Sequence, residues 1–395
     1  MIPPKSLVRR TGWPESASKP LVTPLQPSVV YTSGNPDALD VIYTEKTGFS
    51  YAREGHPNAS VLASKIDYLE GTQGGIITGS GMSAISAVLL GVLKAGDHVL
   101  CGDQAYGRTL RLMTQDLPRL GIETSLADPT DAAAIRAAMR PNTRMILVEV
   151  ISNPTIRVAD MEGIARIARE TGVLLVVDNT FTTPRLYRPF EHGADIIIHS
   201  VTKLMAGHSD ATLGYVVARD PALMTAINDA NVTWGLTPSP FDCWLAERGL
   251  HTFDLRLDKA ERNAAALAEA LAGHPAVERV LYPTRPDHPD HNRAMSLLGG
   301  RGGNMMSFIL KGGRAAANAF TNAAPEIAFA PTLGDVGTTL SHPPSSSHRG
   351  LTVEGRAKLG ITEGFFRVSV GVEEEGILVS EMLRAADAAR GQSAT

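Results

Sequence analysis

Residues 160–178 read "DMEGIARIARETGVLLVVD", and this stretch decides the fold. Its first part carries a helical pattern that closes at Gly172. "VLLVV" is then an unbroken apolar run, the mark of a strand covered on both faces. The same alternation extends in both directions. "SVLASKIDYLEG" (60–71) and "MSAISAVLLGVLKAGD" (82–97) have helical patterns. "GGIITGSG" (74–81), "DHVLCGD" (97–103), "RMILVEVIS" (144–152), "ADIIIHS" (194–200) and "ATLGYVVA" (211–218) read as strands. Strands alternating with helices imply right-handed crossovers and a mostly parallel sheet with helices on both faces. Ligands of such sheets collect at the carboxyl ends of the strands. That rule points at Ser80, Asn153, Asp178 and Ser200.

Outside this block the pattern changes. Residues 1–58 are rich in Pro, Ser, Thr and Gly and show little periodicity, so they read as an arm that needs another surface to order it. Residues 59–250 are expected to form a large α/β domain. Residues 251–395, with strands at "GGNMMSFILKGG" (302–313) and "FFRVSVGVEE" (365–374), are expected to form a smaller α+β domain. "SHPPSSSHRG" (341–350) reads as a loop. A chain of 395 residues suits two domains, and its net charge of −4 offers no footprint for nucleic acid or an anionic membrane. No apolar run reaches the length of a membrane span, and residues 1–16 lack the core of a secretory signal. Cys101 and Cys243 stand in neither a metal nor a redox spacing. A cytoplasmic protein with two reduced thiols is expected.

Three features carry chemistry. "TGSGM" (78–82) between strand and helix offers free backbone N–H groups and a helix dipole to an anion. It does not continue as a dinucleotide or P-loop motif, since Ala84 stands three residues after Gly81 and no Gly-Lys follows. Asp178 ends a strongly apolar strand, where an unpaired carboxylate costs several kcal/mol of desolvation. A helix cap or an ion pair would account for it, and so would a ring N–H⁺ of a bound cofactor, which would also let it stay ionised. Lys203 comes straight out of the core, flanked by Ser200, Thr202 and Gly207, as an amine suited to condense with a carbonyl. A phosphate cradle, an acid for a pyridinium nitrogen and an amine for an aldehyde are the three needs of pyridoxal 5′-phosphate (PLP). Tyr106 offers an aromatic face. His199, His208 and Asp210 flank the lysine without a ligand spacing, and no metal is expected.

"SVTKLMAGHSDATLGYV" (200–216) closely resembles the lysine signature of the Cys/Met-metabolism, or trans-sulfuration, PLP enzymes. These comprise cystathionine γ-synthase, cystathionine γ-lyase, cystathionine β-lyase, methionine γ-lyase and the O-acylhomoserine sulfhydrylases. The resemblance runs from "FSYAREGHPN" (49–58) to "FFRVSVGVEEEG" (365–376). It implies the type I, aspartate-aminotransferase-like fold. Lys203 is then the cofactor-bearing lysine and proton shuttle, Asp178 the partner of the ring nitrogen, and Tyr106 the residue stacked on the ring. Gly81, Met82, Ser200 and Thr202 would hold the phosphate, and Asn153 would lie near the ring hydroxyl. Arg367 matches the arginine for the substrate α-carboxylate. Tyr51 and Arg53 match a pair that reaches a neighbouring subunit's phosphate, which implies a homotetramer built as a dimer of dimers with shared active sites.

The implied substrate is a small amino acid, and departures from the family pattern narrow it. In "APTLGDVGTT" (330–339), Thr332 replaces a serine and keeps a hydroxyl near the carboxylate, while Leu333 resembles the γ-acting branch. Pro331 and Ser50 stand where acidic residues would greet the distal amine of cystathionine. Arg108 adds a positive charge beside Tyr106, either to meet a leaving group or as a surface arginine in a loop. The expectation is γ-elimination or γ-replacement on a homoserine- or methionine-like amino acid. β-Elimination of a C–S bond is the alternative. From a different class, a catalytically silent scaffold of the same fold is opposed by Lys203, Asp178 and Arg367 standing together.

Overall fold

The computed structural model describes residues 16–392. The first fifteen residues of the expected arm lie outside them. Seven strands form the larger sheet: β1 (Ile76–Thr78), β2 (His98–Gly102), β3 (Glu123–Ala127), β4 (Thr143–Glu149), β5 (Leu174–Asp178), β6 (Ile196–Ser200) and β7 (Gly214–Ala218). Their order is β1-β7-β6-β5-β4-β2-β3, with β7 antiparallel to both its neighbours and the rest parallel. Apolar clusters lie on both faces. Leu175, Val177 and Ile197 pack on one side, and Val176, Ile196 and Ile198 on the other. That two-sided burial is why these strands read as continuous apolar runs.

The arm is not wholly irregular. Helix α1 (Pro36–Glu45) starts where the Asn35 side chain accepts the Ala38 N–H at 2.8 Å. It buries none of its residues in this chain. Helix α2 (Pro57–Glu70) is capped by the His56 ring, which accepts from Ala59 N. Helix α3 (Gly81–Val92) follows β1 through the glycine turn, and α4 (Gly107–Arg111) follows β2.

The second sheet contains β8 (Val277–Leu281), β9 (Met305–Leu310), β10 (Ala328–Phe329), β11 (Thr339–Ser341) and β12 (Phe365–Ser369), ordered β10-β11-β12-β9-β8. The helix Phe253–Ala272 joins the two cores. Phe253 and Leu257 pack into the large one, and Ala264, Leu267 and Leu271 into the second. The period of two in β12 positions the site. Phe366 and Val368 face the second core, where Phe308, Phe320 and Phe366 pack with ring centroids 5.2 to 5.4 Å apart. Phe365 joins the large core instead, and Arg367 shares its face. On that face Ser307 Oγ of β9 donates to the Pro154 carbonyl at 2.7 Å, tying the second sheet to the loop after β4.

Candidate active site

A cavity of about 270 Å³ lies at the carboxyl ends of β4, β5 and β6. Gly81, Met82, Tyr106, Asn153, Asp178, Ser200, Thr202, Lys203, Leu333 and Arg367 all line it, brought together from seven segments of the sequence. Three expected residues lie elsewhere. Arg108 is exposed on α4, the turn of helix having carried it outward from Tyr106. Arg53 and Ser50 line a separate cavity of about 760 Å³ beside the arm, and Tyr51 stands exposed between them in sequence. There Arg53 lies 5.4 Å from the Tyr51 ring centroid and 3.4 Å from the Glu54 carboxylate. Thr332 meets the site through its backbone: its carbonyl accepts from Arg367 Nη2 at 2.6 Å, a contact any residue there could make.

The anion cradle is built from the first turn of α3. Ser80 caps the helix by accepting the Ser83 N–H, so the Gly81 and Met82 amides have no helical acceptor. A Cβ on Gly81 would lie 2.7 Å from Ser200 Cβ, so only glycine lets the turn approach β6. Thr202 is more committed than expected, since its hydroxyl donates to the Leu213 carbonyl and accepts the Leu213 N–H.

Asp178 sits at the cavity floor. Thr180 donates to its Oδ1 twice, through Oγ1 at 2.5 Å and the backbone N–H at 3.1 Å. Burial pushes this carboxyl up, and the Thr180 donors pull it back toward the anion. A cationic ring nitrogen would complete that compensation. Lys203 lies in the turn after β6, where Gly207 N–H donates to its carbonyl at 2.9 Å. Gly334, at φ +82°, presses against this turn: a Cβ there would fall 2.7 Å from the Lys203 carbonyl carbon. The 331–335 loop ahead of β11 thus closes on the lysine. Burial, and then the Arg367 charge, hold the Lys203 ammonium below its ordinary pKa.

Arg367 is buried and bonds Asn153 Oδ1 through Nη1 at 3.0 Å. Its Nε is buried without a partner among the described residues. Desolvation lowers its pKa to about 10. A guanidinium with an unspent donor at a cavity wall is a ready seat for a carboxylate.

Several cavity residues went unnoticed in the sequence. Glu149 accepts the Tyr106 N–H at 2.6 Å, and Ile85, Ile151, Thr180, Phe181 and Thr212 complete the lining. His348, from the 341–350 loop, is buried, and burial and then Arg367 push its pKa down to about 4. A histidine buried neutral binds fewer protons than its unfolded counterpart between pH 6.5 and 4, so its contribution is lost as pH falls through that window. Replacing His348 with Gln should therefore flatten the acid loss of thermal stability. An unchanged pH profile of Tm would contradict this. His199 pairs with Glu70 in the core, and His208 Nδ1 bonds the Ala206 carbonyl at 2.7 Å. Among the described residues no His, Cys, Asp and Glu cluster suits a metal ion, and both cysteines are buried and free.

The residues present fit PLP: amine, acid and anion cradle meet in one cleft at the sheet's carboxyl edge, the arrangement of a PLP-dependent enzyme. Comparison with known proteins narrows that class. The chain matches the family described as Cys/Met metabolism PLP-dependent enzyme over residues 6–387, and it belongs to that family. It is 40% identical to the cystathionine beta-lyase of Bacillus subtilis over 84% of each chain. It is 38% identical to the cystathionine gamma-lyase of the same organism, over 86% of this chain and 88% of the relative. The crystal structure of cystathionine gamma synthase from Xanthomonas oryzae pv. oryzae, in complex with aminoacrylate and cysteine, superposes with a TM-score of 0.90 at 36% identity, over 96% of each chain. No helix among the described residues is long and apolar enough to cross a membrane.

Proposed function

We propose that the chain catalyses γ-elimination or γ-replacement on a homoserine- or methionine-like amino acid with a sulfur or oxygen leaving group. The reading rests on the cavity wall beyond the cofactor cleft. Pro331, Leu333 and Phe181 line it, and among the described residues the cavity's only carboxylates are Asp178 and Glu149 at the strand ends. A wall of this kind favours an uncharged side chain over a second ammonium group, whose desolvation nothing there would offset.

PLP, when bound, supplies an electron sink for charge developing at the substrate α-carbon. The chain's own residues do the rest. Gly81, Met82 and Ser200 seat the phosphate, with Thr202 beside them, and Asp178 keeps the ring nitrogen protonated. Arg367 takes the substrate carboxylate and so aims the α-carbon at Lys203. Lys203, kept less basic by burial and Arg367, takes the α-proton and can take the next one from the β-carbon, as γ-departure requires. Tyr106 covers the ring and stands near the leaving group.

β-Elimination is the second reading, favoured by the likeness to the Bacillus subtilis β-lyase. Identifying the product from a panel of amino acids separates the two. We expect 2-oxobutanoate or a new thioether; pyruvate from a C–S substrate would overturn γ-chemistry.

The same proposal makes the site shared between copies in a homotetramer. Leu21, Val22, Val29 and Val30 of the arm are exposed in the single chain, as are Tyr51 and Arg53, an apolar and cationic strip suited to a neighbouring subunit. Arg53→Ala should weaken cofactor binding about tenfold, as expected for the loss of one charge-assisted contact to phosphate. Unchanged affinity would remove the cross-subunit role.

A further inference from the structure

Glu149 ends β4 as Asp178 ends β5, and the two are register partners on adjacent parallel strands. Their side chains therefore leave the same face of the sheet, and both line the cavity. Their hydrogen bonding differs. Asp178 takes two donors from Thr180, whereas Glu149 takes one, the backbone N–H of Tyr106 at 2.6 Å. That N–H belongs to the residue just before α4, so the carboxyl group anchors the start of the helix that presents the Tyr106 ring.

Other charged or titratable groups act on this pair. Lys203 follows β6, Arg367 comes from β12, and Tyr106 precedes α4, all on the cavity wall. Cys101 of β2 is buried nearby and feels both carboxylates, and Asp103 lies beyond it. His199 acts on Asp178 alone. Two carboxylates on one desolvated floor do not both ionise at neutral pH, and the one with more hydrogen-bond donors keeps the charge. Burial first, and then the Asp178 charge, push the Glu149 carboxyl well above its ordinary range.

We propose that Glu149 is a positioning residue of the reaction: as a neutral acid it holds the Tyr106 backbone, and with it the Tyr106 ring, over the cofactor cleft, leaving Asp178 as the only negative charge on the floor. A second anion there would repel the Asp178 charge and favour a proton on that carboxyl in place of its charged pairing with the ring nitrogen. The proposal rests on the cofactor placement given above. That placement is decided separately, by the peptide of the wild-type holoenzyme that carries the cofactor after borohydride reduction.

Two variants test it. Glu149→Gln keeps the shape, the neutrality and an acceptor for the Tyr106 N–H. Its kcat/KM should stay within about threefold of wild type, and the pH titration of the holoenzyme's visible absorbance should keep its midpoint. Glu149→Ala removes the acceptor, and cofactor affinity and kcat/KM should each fall about tenfold or more. If the Gln variant shifts the titration midpoint by about one unit or loses as much as Ala, Glu149 acts as an anion and the proposal is wrong. It is also wrong if Ala behaves as wild type. Should the Ala variant fail to fold, the titration of the Gln variant decides.

Discussion

Replacing Lys203 with Ala should leave a protein that still takes up PLP but turns over at least about a thousandfold more slowly, the range lost with a general base. Retained uptake follows from the separate construction of the cradle. The Gly81 and Met82 amides and Ser200 are fixed by the α3 cap and by β6, and none depends on the lysine side chain. The loss follows from position, because Lys203 is the only lysine lining the cavity among the described residues. Equilibrium dialysis with PLP, beside steady-state turnover, reads both halves. Turnover near wild type would remove Lys203 from the chemistry, and abolished uptake would show that the cradle needs it.

The second large effect is expected from Asp178→Asn. The amide preserves shape and can still accept from Thr180, so the fold should persist, but it carries no charge to offset a protonated ring nitrogen. A hydrogen bond between charged partners contributes roughly 3 kcal/mol, which corresponds to about a hundredfold in rate. The expected result is a kcat lower by that factor with KM little changed, since the proposed function assigns Asp178 to the cofactor and Arg367 to the substrate. A rise in KM at constant kcat would assign Asp178 to substrate binding instead.

Much of this fold is legible in the sequence because the sheet is buried on both faces. Runs such as Leu174–Val177 and Ile196–Ile198 have no polar residue to confuse their reading, and the topology rule then sends attention to the strand ends. Asp178, Ser200 and Asn153 stand out because each interrupts or follows such a run. Glu149 was harder to see. It sits inside "MILVEVIS", whose apolar run continues past it, and only the pairing with β5 shows that β4 ends there. Thr180 and Phe181 join the site by a turn that no periodicity reports.

Arg108 shows the opposite limit. It lies two residues from Tyr106, but α4 begins between them and sends the two side chains apart. Helix α1 was hidden because it is only ten residues long and none of them is buried within one chain. Thr332 was expected to act through its hydroxyl and instead supplies a carbonyl to Arg367. Backbone contacts of that kind leave no signature in residue type.

The covalent role of Lys203 is tested most directly by treating the holoenzyme with borohydride, digesting it and weighing the peptides. The account predicts that the peptide containing residue 203 carries the added mass of the reduced cofactor and that no other lysine peptide does. An unmodified residue 203 beside a tagged lysine elsewhere would contradict it.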